Sequence, residues 1–188
     1  RPSQVAGSTL TLAGDSRLYL LDGRKKRKLD LRGRELRFTA DVSGVPCSCN
    51  AAVYLVGMTG GYCDIQTSNW CTELDLFEAN EAAVQATVHT RRGKGGDGRC
   101  NQWGCAVNWG NFPLASSGGG RTADLFGRGA RLGIDSRRPF GVAASLSAEG
   151  ELVVRLSQDN RTLTLLDGAS ASNPVVGSCD GTGGGGSG

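Results

Sequence analysis

The sequence has few aromatic residues, a single histidine and no long apolar run. Aromatics make up 6% of the chain, and only 5 of its 188 residues are prolines. One histidine, His89, excludes a metal site built from several histidines, so no metal is expected. No apolar run approaches the ~20 residues that a membrane-spanning helix needs, so no membrane contact is expected.

Glycine, by contrast, is abundant, with 30 residues. Short apolar stretches separated by glycine, asparagine or aspartate predict an all-β domain, arranged as a sandwich or jelly roll. With few aromatics, the core must consist largely of leucine, valine, alanine and a few phenylalanines. The predicted strands cover residues 8–12, 17–21, 35–42, 51–58 (with both faces covered), 72–79, 83–89 (a strand or a short helix-like link), 140–146, 151–156 and 162–166.

Positive charge is concentrated in residues 24–37, although the net charge is only +3. Such a run suits either contact with phosphates or an anionic polymer, or a solvated turn between two strands. No aromatic platform or nucleic-acid motif accompanies it. We therefore expect the solvated turn and no nucleic-acid partner.

Seven cysteines are more than a cytosolic protein usually carries. Their spacing gives no paired C-x-x-C zinc pattern, so disulfides and a secreted, extracellular location are expected. A glycosylation sequon at residues 160–162 agrees with secretion. The start at Arg1 and the glycine-rich end suggest a processed, trimmed or partial chain, with a core at residues 1–179 and a flexible tail at 180–188.

The most informative segment is acidic. On a strand, Glu73 and Asp75 share one face, and strict alternation would turn Glu78 into the core, where a carboxylate is costly. A β-bulge near Leu76 and Phe77 would return Glu78 to the face of the other two.

Three carboxylates on one face repel one another, which favours keeping one of them protonated. A retaining glycosidase needs that division of roles, with an ionised nucleophile about 5–5.5 Å from a protonated acid. An ordinary solvent-exposed acidic face is the other interpretation of the same pattern.

The acidic segment resembles glycoside hydrolase family 7, the fungal-type cellulases, in which Glu-x-Asp-x-x-Glu is followed by Ala-Asn, as at residues 73–80. The similarity runs in order, with deletions, from about residue 9 to residue 179. Further matching motifs are Pro-Cys-x-x-Asn with a tyrosine four residues on (46–54), Gly-Tyr-Cys-Asp-x-Gln (61–66), His89, a Cys-x-x-x-x-Cys loop (100–105), Pro-Phe (139–140) and Gly-Ser-Cys (177–179).

The resemblance implies a concanavalin-like β-jelly-roll sandwich and retaining cleavage of β-1,4-glucan, with no cofactor and a polysaccharide as the only partner of a monomeric enzyme. Glu73 would be the nucleophile, Glu78 the acid/base and Asp75 the assisting carboxylate. The loops that roof a tunnel in the family are reduced here, so the cleft should be open. An open cleft favours internal cleavage by an endoglucanase over release from chain ends by a cellobiohydrolase.

The resemblance also implies substrate-binding and disulfide positions. Asn50, Tyr54 and Gln66 match positions lining the cleft, where amides and a hydroxyl suit sugar hydroxyls. The alternative for each is an ordinary polar surface residue or, for Tyr54, a core ring with its hydroxyl at the surface. His89 is expected either to hydrogen-bond near the acid/base or to be simply polar, and Trp103 either to stack on a sugar or to pack internally. The implied disulfides are Cys47–Cys179 and Cys63–Cys71; Cys100 and Cys105 have lost their usual partners and are paired here by conjecture, which leaves Cys49 as the unpaired thiol.

Two other functions remain open at this point. The chain is roughly half as long as family members, and the family's long stretch between Leu166 and Pro174 is missing. The missing stretch, together with the absence of the tryptophans that stack on sugars in the family's late part, favours a non-catalytic carbohydrate-binding remnant of the same fold. Family 16 β-glucanases share the bulged acidic motif, so a β-1,3-glucanase is the third hypothesis.

Overall fold

The computed structural model describes residues 3–58, 61, 63, 71–89, 122–149, 151–166 and 176–177. The chain divides into two compact units, Arg1–Asp30 and Leu31–Gly188.

The first unit contains two short antiparallel hairpins. β1 (Gln4–Ala6) pairs with β2 (Thr9–Thr11), and β3 (Leu21–Asp22) pairs with β4 (Lys25–Lys26). Gly23 turns the second hairpin with a φ of 62°, a left-handed conformation that glycine adopts without steric cost. None of the side chains between residues 3 and 30 is buried.

The strand predicted over residues 17–21 is wrong in extent. Only Leu21 lies in a strand, while residues 16–20 have no regular structure. Leu18 and Leu20 are exposed, so no buried face selects a strand conformation there. The basic residues from Arg24 to Lys28 are all exposed, as expected for a solvated turn.

The second unit is almost entirely β-structure and supplies the core. Its elements are β5 (Arg34–Ala40), β6 (Ala51–Val56), β7 (Glu73–Ala79), β8 (Ala83–His89), a single helical turn α1 (Thr122–Leu125), β9 (Phe126–Gly127), β10 (Ile134–Asp135), β11 (Phe140–Leu146), β12 (Leu152–Gln158), β13 (Arg161–Leu166) and β14 (Val176–Gly177). Within the described part of the chain, no helix has the length and apolarity that crossing a membrane requires.

Two four-stranded antiparallel sheets face each other in this unit. One has the order β13-β12-β11-β5 and the other β14-β8-β7-β6. Aromatic rings join them: Phe77 of β7 lies 6.1 Å from Phe38 of β5 and 5.9 Å from Phe140 of β11, measured between ring centroids. The apolar side chains between the sheets form one buried cluster, so the unit is a β-sandwich.

The remaining strand predictions agree with the structure. β5 alternates as predicted, with Leu36, Phe38 and Ala40 turned towards the core. Residues 83–89 are a strand rather than a helix-like link. Each residue of β6 is half-buried and none is buried, so the prediction that both of its faces are covered holds only in part.

Candidate active site

β7 carries a β-bulge at the predicted position. Asp75 pairs with Thr87 of β8, but the next pair is Glu78 with Gln85, so Leu76 and Phe77 together oppose one residue of β8. The ladder to β6 shifts at the same point. Leu76 and Phe77 are 0% and 2% exposed, so both bulge side chains are in the core. Burying two successive apolar side chains leaves the carboxylate that follows them on the opposite face.

Glu73, Asp75 and Glu78 consequently lie on one face of the sheet. Glu73 and Asp75 are two residues apart on β7, which places them on the same side. Asp75 contacts His89 and Glu78 contacts Gln85, both from β8. Gln85 and His89 are four residues apart on that strand, so they too share a face.

Both carboxylate oxygens of Glu78 accept hydrogen bonds from side-chain amides. Asn50, immediately before β6, donates from Nδ2 to Oε1 at 2.9 Å. Gln85 of β8 donates from Nε2 to Oε2, also at 2.9 Å. Two donors from opposite sides of β7 therefore hold the half-buried carboxylate of Glu78 in one orientation.

Asp75 forms the second polar contact of this face. It is 6% exposed, and its Oδ2 lies 2.9 Å from Nε2 of His89. A buried carboxylate requires such a partner because desolvation is otherwise costly. The resemblance left two alternatives for His89, a hydrogen bond near the acid/base or a simple polar role; in the structure its side chain contacts Asp75.

Asn80 closes the turn that brings β8 back beside β7. Its Oδ1 accepts hydrogen bonds from the backbone N–H groups of Ala82 and Ala83, both at 2.9 Å. This explains physically why an asparagine follows the acidic strand. The turn sets the register that brings Gln85 opposite Glu78.

At the other end of β7, a disulfide links Cys63 to Cys71, two residues before Glu73, with a Cα–Cα distance of 5.7 Å. This is the pairing that the resemblance implied. Cys47 is also disulfide-bonded, and Cys49 is an exposed free cysteine.

The other predicted binding residues have different outcomes. Tyr54 pairs with Asp75 across the β6–β7 ladder, which places its half-buried side chain on the face of the carboxylates. Gln66 and Trp103, together with Cys100, Cys105 and Cys179, lie outside the described residues. Among the residues that the structure describes, no group of three or more His, Cys, Asp or Glu side chains is arranged to hold a metal ion.

Gln85 is the site residue that the sequence analysis missed. The signal was present, since residues 83–89 alternate, with Val84, Ala86 and Val88 packed on or within the core. That alternation turns Gln85 towards the same side as His89.

Comparison with known proteins gives the context of this geometry. Residues 4–69 match the sequence model described as glycosyl hydrolase family 7. Endoglucanase 1 of Humicola insolens is 30% identical over 175 residues, covering 70% of this chain and 42% of the relative. Endo-beta-1,4-glucanase celB of Emericella nidulans is 27% identical over 220 residues, covering 86% and 49%. The chain spans about half the length of the curated relatives it matches.

The fold has counterparts among solved structures. A structure of Humicola insolens Cel7B glycosynthase mutants superposes with a TM-score of 0.61 at 25% identity, over 86% of this chain and 52% of that one. The predicted all-β jelly-roll sandwich is therefore confirmed.

Proposed function

Because the chain is a relative of glycosyl hydrolase family 7 in sequence and fold, we propose that it is a retaining glycoside hydrolase that cleaves internal β-1,4-glucosidic bonds of cellulose-like glucans. The observation that carries this proposal is the bulge in β7, which keeps Glu73, Asp75 and Glu78 on one sheet face. Two glutamates on a common face are the groups that double displacement requires.

The first step uses both glutamates. Glu73 attacks the anomeric carbon as Glu78 gives its proton to the glycosidic oxygen, so the C–O bond to the departing sugar breaks and a glycosyl ester forms on Glu73. In the second step, water attacks the same carbon, Glu78 takes a proton from it, and Glu73 leaves as a carboxylate. Both glutamates end in their starting protonation states.

The contact between Asp75 and His89 supports this chemistry because it holds the carboxylate that lies between the two glutamates. Asp75 lies between the two glutamates on β7, and its contact with His89 anchors it to β8. An anchored carboxylate beside Glu73 limits the positions that the nucleophile can take, which helps to orient it towards the anomeric carbon. Tyr54 and Asn50 supply hydroxyl and amide groups at the same face for sugar hydroxyls.

Cleavage within the chain, rather than at its ends, is supported by the names of the relatives, which are endoglucanases. We also propose a secreted, monomeric protein that uses no cofactor and whose partner is its polysaccharide substrate. The alternative of a non-catalytic carbohydrate-binding protein is favoured by one observation: the chain matches only about half of each of these relatives.

An activity assay with three polysaccharides tests the proposal. Wild type should release reducing sugar from carboxymethyl cellulose, and Glu73→Gln should lose more than about a thousandfold of that rate because the nucleophile is absent. Glu149→Gln, an exposed glutamate on the other sheet's connecting turn, is the matched control and should keep the wild-type rate.

The other substrates separate the alternatives. Release from laminarin alone would move the chain to the β-1,3-glucanase hypothesis. Binding of cellulose without release from carboxymethyl cellulose, xylan or laminarin would establish a binding protein. Mass spectrometry after treatment with a 2-deoxy-2-fluoro cellobioside should find the sugar attached to Glu73; attachment elsewhere would refute the assignment of the nucleophile.

A further inference from the structure

Glu78 is held by a donor that the proposed mechanism does not use. The Nε2 of Gln85 lies 2.9 Å from Oε2 of Glu78, and Asn50 reaches only the other oxygen. Gln85 is directly opposite Glu78 in the β7–β8 ladder, in the first residue pair after the bulge. Its side chain is half-buried, which limits the competition of water for this hydrogen bond.

The position of this hydrogen bond has a chemical consequence. A carboxyl group that donates a proton must present one oxygen to the leaving group in a fixed direction. With one amide on each oxygen, the plane of the Glu78 carboxyl group is determined by β6 and β8 together. The hydrogen bond from Gln85 also strengthens when Glu78 becomes an anion, because an ionised acceptor binds an N–H donor more strongly than a neutral one.

We propose that Gln85 is a positioning residue that, together with Asn50, orients the carboxyl group of Glu78 for proton transfer and stabilises the carboxylate left behind. This inference rests on the proposed function, because it assigns a partner to the acid/base of that reaction. Gln85 acts through Glu78 and has no contact with the reacting bond in this account.

The distinguishing measurement compares substrates that need acid assistance with one that does not. Cellotetraose has a sugar leaving group that must be protonated, whereas 2,4-dinitrophenyl cellobioside has a leaving group that departs without a proton. Gln85→Met removes the donor and keeps the length of the side chain. We expect kcat/KM for cellotetraose to fall about tenfold, the size of effect given by one hydrogen bond to a charged group, and kcat/KM for the aryl cellobioside to stay within about twofold.

Two further variants make the test specific. Gln85→Ala should show the same selective loss, so the result does not depend on how methionine packs. Gln4→Met, at an exposed glutamine of the first unit, is the matched control and should behave as wild type with both substrates. Circular dichroism and the Tm of each variant establish that the fold is retained.

The outcomes are separable from those of the function itself. If wild type cleaves both substrates and Gln85→Met loses activity equally on both, or on neither, Gln85 is structural and the inference is refuted while the glycosidase assignment stands. If wild type cleaves neither, the proposed function fails and this inference fails with it.

Discussion

The carboxylates of this chain differ in the groups that bind them. Glu78 is held by two neutral side-chain amides. An amide group has both N–H donors and an acceptor oxygen, so it can hydrogen-bond either a carboxylate or a carboxylic acid. Asp75 faces an imidazole. Asp135, by contrast, is bound by the Arg137 guanidinium at 2.8 Å and by the backbone N–H groups of Gly129 and Arg137, an environment suited only to an anion.

The environment of Asp135 leads to a prediction of how the free energy of unfolding depends on pH. The hydrogen bonds from Arg137 hold the pKa of this buried carboxyl well below its ordinary value of 3.8. A folded pKa below the unfolded one means that the contribution is present above about pH 4 and is lost as the pH falls further. Asp135→Asn should therefore lower the free energy of unfolding at pH 7. The expected loss is only about 1–2 kcal/mol because Arg137 is largely exposed, so solvent screens its interaction with Asp135.

Urea unfolding at pH 7 and at pH 3 measures this difference. The gap between wild type and Asp135→Asn should narrow at pH 3, and a gap of constant size would contradict the assignment. Asp159→Asn is the comparison, because its ion pair with Arg138 is exposed on both sides. That substitution should have little effect at either pH.

At the scale of single elements, β7 connects packing to the site. Phe77 faces the core between the rings of Phe38 and Phe140, and the next residue, Glu78, faces the opposite side. The bulge is held because Leu76 and Phe77 are both buried. The packing of the apolar core therefore helps to fix the direction of Glu78, the proposed acid/base.

Phe77→Ala is expected to be among the most costly core substitutions. Removing this almost fully buried ring leaves a cavity between the sheets, and the free energy of unfolding should fall by about 3–5 kcal/mol. Phe38→Ala removes a half-buried ring and should cost clearly less. Thermal and urea unfolding of the two variants make the comparison; equal losses would show that Phe77 does not anchor the sandwich.

At the scale of the whole molecule, the two units differ in how many buried side chains they contribute to stability. Every buried side chain of the described residues belongs to the second unit, Leu31–Gly188. The first unit instead exposes large apolar side chains, including Val5, Leu20 and Leu21. Exposed apolar surface adds little to stability because it is not removed from water.

A truncated chain of residues 31–188 should therefore keep the fold. We expect cooperative unfolding with a free energy within about 1 kcal/mol of that of the full chain, because the buried core is untouched. Urea unfolding followed by tryptophan fluorescence and circular dichroism measures it. Loss of the cooperative transition would show that the first 30 residues complete the core.

Local patterns in the sequence were sufficient to predict much of the fold and the strand that carries the three carboxylates. The alternation in β5 and β8 depends only on which side chains are apolar, because successive residues of a strand point to opposite faces. The bulge in β7 followed from the cost of burying Glu78. The proximity of Cys63 and Cys71 required the family resemblance, because spacing alone does not determine which cysteines pair.

The amino-acid sequence by itself therefore determined which side each carboxylate faces, since that can be inferred from which residues of the segment are apolar and which are charged. The tertiary structure alone decided which partners meet them: Asn50 and Gln85 at Glu78, and His89 at Asp75. Those contacts depend on the register between three strands. Register is fixed by the turn at Asn80 and by core packing acting together, and no single segment encodes it.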